Sequence, residues 1–445
     1  RIIKINFHII DSSGDDFMKY IIYTLGCKVN QYETQAIEAL LVSRGHKPCV
    51  EGEIADAVIV NTCAVTAEAG RKSRQAIHRL REENPGAVAA VLGCYSQLSP
   101  DAVQKLGADI VYGTADRLKL IDAVEKAVAT GEGEKALDKP FERRVFEELP
   151  AGAVSGHTRA LLKIQDGCVN FCSYCIIPYT RGRVRSLPME AAVRQAAELD
   201  KKGYRELVIT GIEIASYGVD LPGKPDLADV VCAIADAAPH MRLRLGSIEP
   251  SVITENFCKK IAACGSVCRH FHLSLQSGCD ATLKAMNRKY DTARFYEAMQ
   301  LLRRYFPDCG MTCDVIVGFP GETEEHQLET LDFLKKAQFS DAHIFPYSRR
   351  PGTPADKMDG QIDRATKAKR SKQARAVVAE TRSAFLESMI GKTLPVLFET
   401  QEGECWQGHS DNYLEVRAEG ENLRGTVHNV RIDAVSEGIL VGNVI

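Results

Sequence analysis

The chain has 445 residues, 26% of them charged and 45% hydrophobic, with 56 Lys and Arg against 59 Asp and Glu. That length suits about three domains. The net charge of −3 excludes a uniformly basic nucleic-acid binder, although a local basic face suffices for such a partner. No apolar run approaches the roughly 18–20 residues of a membrane span. The 15 cysteines are an odd number, dispersed and without a signal peptide, which argues against a disulfide framework and fits a reducing cytoplasm. Residues 1–17 carry no clear pattern, and Met18 is the expected natural start.

From 19 to about 131, strands and helices alternate. The short apolar runs 20–25, 57–61, 88–92 and 109–112 read as buried parallel strands. Helical stretches follow at about 31–43, 67–83, 100–106 and 115–129. This predicts an open parallel α/β domain, and the charged segment 131–150 reads as a linker. From 159 the alternation restarts, with strands expected at 161–165, 207–211, 242–247, 270–276, 312–318 and 342–347. Six βα units are too few for an eight-stranded barrel. The segment 361–382 is basic and helix-prone. Beyond 391, runs at 394–399, 405–409, 413–416, 425–430 and 438–444 are separated by Gly, Asn and Asp turns, which predicts a small antiparallel β-barrel.

The run Cys168-Val-Asn-Phe-Cys172-Ser-Tyr-Cys175 follows the first strand of the second alternation, where βα barrels place their active sites. A bacterial ferredoxin spacing is tighter and carries a fourth Cys before Pro. A zinc site wants four ligands, usually as two C-x2-C pairs, and no second pair follows. Three thiolates leave one iron of a four-iron cluster without a protein ligand, so a small molecule completes the shell. The alternative is a chance cluster of buried cysteines.

Cys27, Cys63 and Cys94 become related once the strands are drawn. Each follows a predicted strand by one or two residues, in Leu25-Gly26-Cys27, Asn61-Thr62-Cys63 and Leu92-Gly93-Cys94. The carboxyl ends of parallel strands share one edge, where ligands bind, and Gly26 and Gly93 permit sharp turns there. Any one of these cysteines alone reads as a small packed hydrophobe. Three at equivalent positions point to a second three-thiolate iron–sulfur site. Cys49 has no such placement. Cys232, Cys258, Cys264, Cys268, Cys279, Cys309, Cys313 and Cys405 read as ordinary thiols, and His270 and His272 receive no ligand role.

On these cysteines the chain resembles the radical S-adenosylmethionine (SAM) superfamily. Tyr23-Thr24-Leu25-Gly26-Cys27-Lys28-Val29-Asn30-Gln31-Tyr32-Glu33 is similar to the opening of its methylthiotransferases, in the branch acting on threonylcarbamoyladenosine in tRNA. The resemblance runs from about 19 to 445. It implies an N-terminal methylthiotransferase domain at 19–131, a radical SAM partial (β/α)6 barrel at 151–382, and a TRAM RNA-binding barrel at 385–445. It also implies two [4Fe–4S] clusters, one on Cys27, Cys63 and Cys94 and one on Cys168, Cys172 and Cys175, with SAM chelating the open iron of the latter. A radical from SAM takes hydrogen from carbon 2 of the modified adenosine at position 37, in the anticodon loop, and a methylthio group fills that carbon. The base must flip or splay to reach the barrel.

The same resemblance directs attention to other strand ends. Tyr174 matches a position whose backbone approaches the adenine. Glu213 is either a partner of the SAM ammonium or ribose, or a solvated loop acid. Glu249, Gln276 and Ser277 end strands three and four, and Gly318, in Val317-Gly318-Phe319-Pro320-Gly321-Glu322-Thr323, resembles a SAM-site segment. Arg181, Arg183 and Arg185 suit phosphate or carboxylate, or form a solvated face. The basic helix 71–81, with the lysines of 367–372 and the C-terminal barrel, suggests a surface for structured RNA, and truncation near 382 is expected to spare both clusters and SAM cleavage but to lose tRNA affinity. The rivals are sister enzymes acting on isopentenyladenosine tRNA or on an aspartate of a ribosomal protein, and a non-catalytic iron–sulfur RNA-binding protein. The Gly26-Cys27-Lys28-Val29-Asn30 opening looks unlike those sisters.

Overall fold

The computed structural model describes residues 17–151 and 158–445; the expected start at Met18 concerns a terminus whose first 16 residues lie outside this range. Contacts divide the chain into two compact units, Arg1–Val154 with Asp166–Val169 and Cys175–Leu187, and Ser155–Gln165 with Asn170–Tyr174 and Pro188–Ile445.

The first unit is built on a parallel six-stranded sheet. Its order is Lys47–Pro48, Lys19–Thr24, Ala57–Thr62, Val88–Gly93, Ile110–Tyr112 and Glu134–Ala136. Every residue of Ala57–Thr62 is buried, because both faces of the sheet are covered. Alternate side chains go to opposite sides. Ile59, Ala90, Leu92 and Ile110 meet Ile37, Leu41, Leu120 and Val124, which belong to helices Lys28–Ser43 and Arg117–Thr130. Val58, Val60, Ala89 and Val91 meet Ala76, Ile77, Leu80 and Val103, which belong to helices Ala67–Glu83 and Pro100–Lys105. Thr66 caps helix Ala67–Glu83 by accepting the Ala69 N–H.

The charged 131–150 segment is not a linker. Glu134–Ala136 is an edge strand paired parallel with Ile110–Tyr112. Phe146 and Leu149 are buried, and Leu149 O accepts the Tyr32 hydroxyl at 3.0 Å. Its charges suggested solvent, yet Arg143 is paired with Asp138, and Glu147 with buried Arg117.

In the second unit, strands Arg159–Asp166, Glu206–Gly211 and Arg242–Leu245 pair in parallel. So do His270–Gln276, Gly310–Val317 and Asp341–Pro346. Isolated parallel bridges, Leu243 to Val267 and Ile248 to Leu273, join the two groups. Each strand therefore neighbours its predecessor, as in an open six-stranded βα barrel. Cys232 and Cys264, expected to be ordinary thiols, face each other with their Cα atoms 5.7 Å apart. They lie on helix Leu227–Ala237 and at the end of helix Glu255–Ala263.

Helix Arg364–Glu387 leads to a closed five-stranded barrel of Thr393–Glu402, Cys405–Ser410, Glu415–Glu419, Ile439–Val444 and Val427–Ser436. Its pairings are antiparallel except that of Glu415–Glu419 with Ile439–Val444, which is parallel. Leu394, Val396, Phe398, Trp406, Val416, Val430, Ile432 and Leu440 fill it.

This small barrel is not a detachable module. Arg242 donates to His409 O at 2.9 Å and Arg244 to Ser410 O at 3.3 Å. Arg269 forks onto Asp411 at 2.6 and 3.2 Å. Tyr413 stacks on His270 and His409 at ring distances of 4.6 and 5.1 Å, with the Arg244 guanidinium 4.6 Å from its centre. The amino-terminal ends of the six-stranded barrel are thus closed by the loop 410–414. Truncation near 382 therefore does more than remove an RNA-binding element: the cut uncovers this polar floor, and the truncated chain should melt below the intact one. Tyr413→Ala should cost about 1–3 kcal/mol, from aromatic stacking and cation–π contacts, read as a lowered urea midpoint at unchanged slope; an unchanged midpoint contradicts the floor.

Candidate functional site

In the first unit, two neighbouring strands send their connections to opposite faces of the sheet. Helix Lys28–Ser43 follows Lys19–Thr24 into one core, and helix Ala67–Glu83 follows Ala57–Thr62 into the other. Such a divergence opens a crevice at the carboxyl edge. Cys27 sits at the start of the first connection and is exposed. Cys63, at the start of the second, is 5% exposed; Cys94, 3% exposed, begins helix Cys94–Leu98.

The two glycines are required by close approach. Gly26 has φ +108° and lies so near Cys63 that a Cβ there would stand 2.9 Å from the Cys63 Cβ and 3.0 Å from its Sγ. Gly93 has φ +102°, and a Cβ there would stand 2.4 Å from Thr62 O. The three cysteine-bearing strand ends therefore abut. Among the described residues no three Cys, His, Asp or Glu side chains are positioned to hold a single metal ion. The sheet supplies a shared edge whose conspicuous donors are sulfur.

The loop after Arg159–Asp166 carries Cys168, Cys172 and Cys175. Gly167 has φ +77°, and a Cβ there would stand 1.9 Å from Arg183 O. Cys168 N donates to Gly182 O at 3.0 Å. Ser173 is pinned three ways: its N–H to Met286 O at 3.0 Å, its hydroxyl to Ala285 O at 2.9 Å, and its carbonyl from Ala355 N at 2.8 Å. Cys172 is buried, with the Arg288 guanidinium 3.1 Å from its sulfur.

Arg288 is the residue that sequence reading missed. It also pairs with Glu249 at 2.6 Å, and Asn170 reaches the same carboxylate at 3.3 Å. Arg288 lies 116 residues from Cys172, and nothing in its local sequence separates it from any exposed arginine. Glu213 faces the same group. Its N–H donates to Gln165 Oε1 at 2.8 Å, and its carboxylate accepts Ala215 N at 3.3 Å. Burial, then the nearby Glu249 carboxylate, pushes the Glu213 carboxyl up to about 8.

The other expected residues have different surroundings. Tyr174 packs beside Met286, Phe319, Tyr347 and Ala355. Gln276 ends its strand at φ +68°. The Ser277 hydroxyl accepts Cys279 N at 3.2 Å and lies 3.3 Å from the Thr330 hydroxyl, in packing against helix Glu324–Ala337. Gly318, at φ +70°, donates its N–H to Glu322 at 2.9 Å, and a Cβ there would stand 2.4 Å from Lys367 Cγ. Two expected basic surfaces change character. Arg181 and Arg185 are buried beside Asp166, so only Arg183 of that trio is exposed. Arg370, in the basic helix, is buried against Glu322 at 2.8 Å.

Residues 162–334 match the Radical SAM superfamily, and residues 19–113 match the "Uncharacterized protein family UPF0004". Threonylcarbamoyladenosine tRNA methylthiotransferase MtaB of Bacillus subtilis is 38% identical over 418 residues, covering 92% of each chain. The enzyme of the same name from Thermotoga maritima is 36% identical, covering 94% of each. The chain belongs to the radical SAM methylthiotransferase family. The family also includes tRNA-2-methylthio-N(6)-dimethylallyladenosine synthase of Alkaliphilus oremlandii, which is 34% identical over 96% of this chain and 93% of its own. Among solved structures, the radical SAM methyltransferase TsrM of Kitasatospora setae superposes with a TM-score of 0.57 at 15% identity, covering 87% of this chain and 79% of that one, a likeness of fold. Membership makes the protein a transferase that uses SAM and a [4Fe–4S] cluster. No helix among the described residues is long and apolar enough to cross a membrane.

The raised Glu213 carboxyl predicts a pH dependence. The folded chain holds a proton that the unfolded chain releases near 4.5, so stability falls as pH rises from about 4.5 to 8. Glu213→Gln should melt close to the parent at pH 5 and progressively above it towards pH 8, in chain free of SAM. Parallel melting profiles across that window would show that Glu213 ionises normally.

Proposed function

We propose that the protein adds a methylthio group to carbon 2 of N6-threonylcarbamoyladenosine at position 37 of tRNA, using two [4Fe–4S] clusters. The observation that carries this reading is the meeting of three cysteine-bearing strand ends at one sheet edge, in a chain that also holds the Cys168, Cys172 and Cys175 loop. A reaction needing only SAM cleavage has no use for the second triplet. The donor set fits: Cys63 and Cys94 are buried at the crevice, Cys27 is open to it, and Gly26 keeps room beside Cys63. The choice of threonylcarbamoyladenosine rests on the names of the Bacillus and Thermotoga relatives.

Cys27, Cys63 and Cys94 would hold one cluster, and Cys168, Cys172 and Cys175 the other. When bound, the clusters and SAM supply the radical hydrogen abstraction and sulfur insertion that an aromatic C–H requires. The remaining work falls to the protein. Arg288 places a fixed positive charge beside Cys172 and is itself oriented by Glu249. Protonated Glu213 can donate a hydrogen bond, and Glu249, held by Arg288 and Asn170, lies near it, so the two side chains can face a bound amino acid and ribose. Gln165 orients the Glu213 backbone, and Tyr174 with Phe319 and Tyr347 supplies an apolar wall. In the second unit, the C-terminal barrel, read as a TRAM domain, and the exposed residues Lys369 and Lys372 would meet the tRNA. Phosphate contacts would give affinity, and contacts to the base would give choice.

Replacing Cys168, Cys172 and Cys175 with Ala should halve the iron of the anaerobically reconstituted protein and abolish SAM cleavage. Unchanged iron would sink the assignment. Replacing Cys27, Cys63 and Cys94 should leave SAM cleavage but remove methylthio from the product; methylthiolated tRNA from that variant, properly folded, contradicts the sulfur site. Affinity for tRNA should fall steeply with salt, as counterion release demands. Product analysis by mass spectrometry decides the substrate: methylthiolated isopentenyladenosine would move the chain to the sister branch.

A further inference from the structure

Asn30 lies on the first turn of helix Lys28–Ser43, is 1% exposed, and touches both edges of the crevice. Its Nδ2 donates to Leu25 O at 2.8 Å and to Thr62 O at 3.0 Å. Leu25 is the residue before Gly26-Cys27, and Thr62 the residue before Cys63. One amide thus clasps two cysteine-bearing strand ends. Its own backbone carbonyl is held by Asn61 Nδ2 at 3.1 Å, and its Oδ1 lies 3.9 Å from the Cys27 sulfur.

The orientation of that amide is set by Arg181. Arg181 Nη2 donates to Asn30 Oδ1 at 3.0 Å. A guanidinium has donors and no acceptor, so it selects the amide oxygen and turns Nδ2 towards the two carbonyls. Arg181 has no solvent exposure, and it is held by Glu33 at 2.8 and 3.2 Å and by Asp166 at 3.1 Å. It belongs to helix Ile177–Arg181, just beyond Cys175, and the next residue, Gly182, accepts Cys168 N at 3.0 Å. A continuous hydrogen-bonded path therefore runs from the Cys168 backbone through Gly182, Arg181 and Asn30 to the carbonyls that precede Cys27 and Cys63, all within the first unit.

We propose that Arg181 and Asn30 are positioning residues that hold the Cys27 and Cys63 strand ends in register with the Cys168 end of the SAM loop. The inference rests on the two-cluster reading above. A guanidinium that merely filled a buried void would not need to bond Asn30, because Glu33 and Asp166 already engage it. Sulfur transfer needs the two sites in fixed register, and SAM cleavage alone does not.

The test uses Asn30→Asp, which keeps the bond to Arg181 but replaces the donor to Leu25 O and Thr62 O by an oxygen. Arg181→Lys keeps the charge near Glu33 and Asp166 while losing the fork that reaches Asn30. Arg181→Ala strips buried carboxylates and is avoided. Two quantities are read in reconstituted full-length protein. One is the ratio of methylthiolated tRNA to 5′-deoxyadenosine, expected to fall about a hundredfold, as misplacement of reacting groups by an ångström does. The other is the electron paramagnetic resonance spectrum of the reduced cluster left when Cys168, Cys172 and Cys175 are Ala, expected to shift in g values with Asn30→Asp. If Asn30→Asp does not fold, Arg181→Lys carries both measurements. An unchanged ratio with an unchanged spectrum overturns the positioning role. If the parent lacking Cys168, Cys172 and Cys175 binds no iron at all, the two-cluster reading fails first and the inference falls with it.

Discussion

A carboxylate with no contact with solvent has to be surrounded by donors, and each unit of this protein is organised around one. In the first it is Glu33, which forms ion pairs with Arg117 at 2.6 Å and Arg181 at 2.8 Å. In the second it is Glu206, which faces Arg159, Arg242 and Arg244 at 3.0, 2.6 and 2.9 Å. Those arginines hold the Glu206 carboxyl well below the usual carboxylate range despite its burial. Such clusters do little for net stability compared with a well-packed apolar core, but removing one partner costs about 3–5 kcal/mol. Their value is specificity, because each partner has to arrive from one place in the sequence.

The partners explain the architecture. Glu33 follows Cys27 by less than two turns, Arg117 opens the helix behind the sheet, and Arg181 follows Cys175. The charge requirement therefore fixes the segments that follow Cys27 and Cys175 against the helix that Arg117 opens. In the second unit, Glu206 begins its strand, at the amino-terminal end of the six-stranded barrel. Its arginines reach onward to the carbonyls of Pro395, His409, Ser410 and Asp411, so the small C-terminal barrel becomes a floor. The apolar cores supply the bulk of the folding free energy, and the buried charges decide which surfaces meet.

Within the second unit, charge at the cysteine loop is arranged by opposition. Glu249 is neutralised by Arg288, while Glu213, buried and close to Glu249, resists ionisation. A carboxyl kept neutral in this way can donate a hydrogen bond. Arg288 serves both the Cys172 sulfur and Glu249, so its placement links Cys172 to the end of the third barrel strand.

Local chemistry made much of this legible from the chain alone. Continuous apolar runs announced a parallel sheet covered on both faces, and the cysteine spacing, with Gly before Cys27 and Cys94, marked the strand ends. Turn residues between short strands announced the small barrel. These signals are local, because period and spacing are written in consecutive residues. What tertiary structure decided is where charges go. Arg181 and Arg185 looked like a phosphate-binding face, and 131–150 looked like a solvated linker. Both are internal, because their partners Glu33, Asp166 and Arg117 lie far away in sequence. The contacts of Arg288, Asn30 and Tyr413 were invisible for the same reason. A side chain's hydrogen-bond partner across the sheet or barrel depends on which strands become neighbours, and that adjacency exists only in the folded chain.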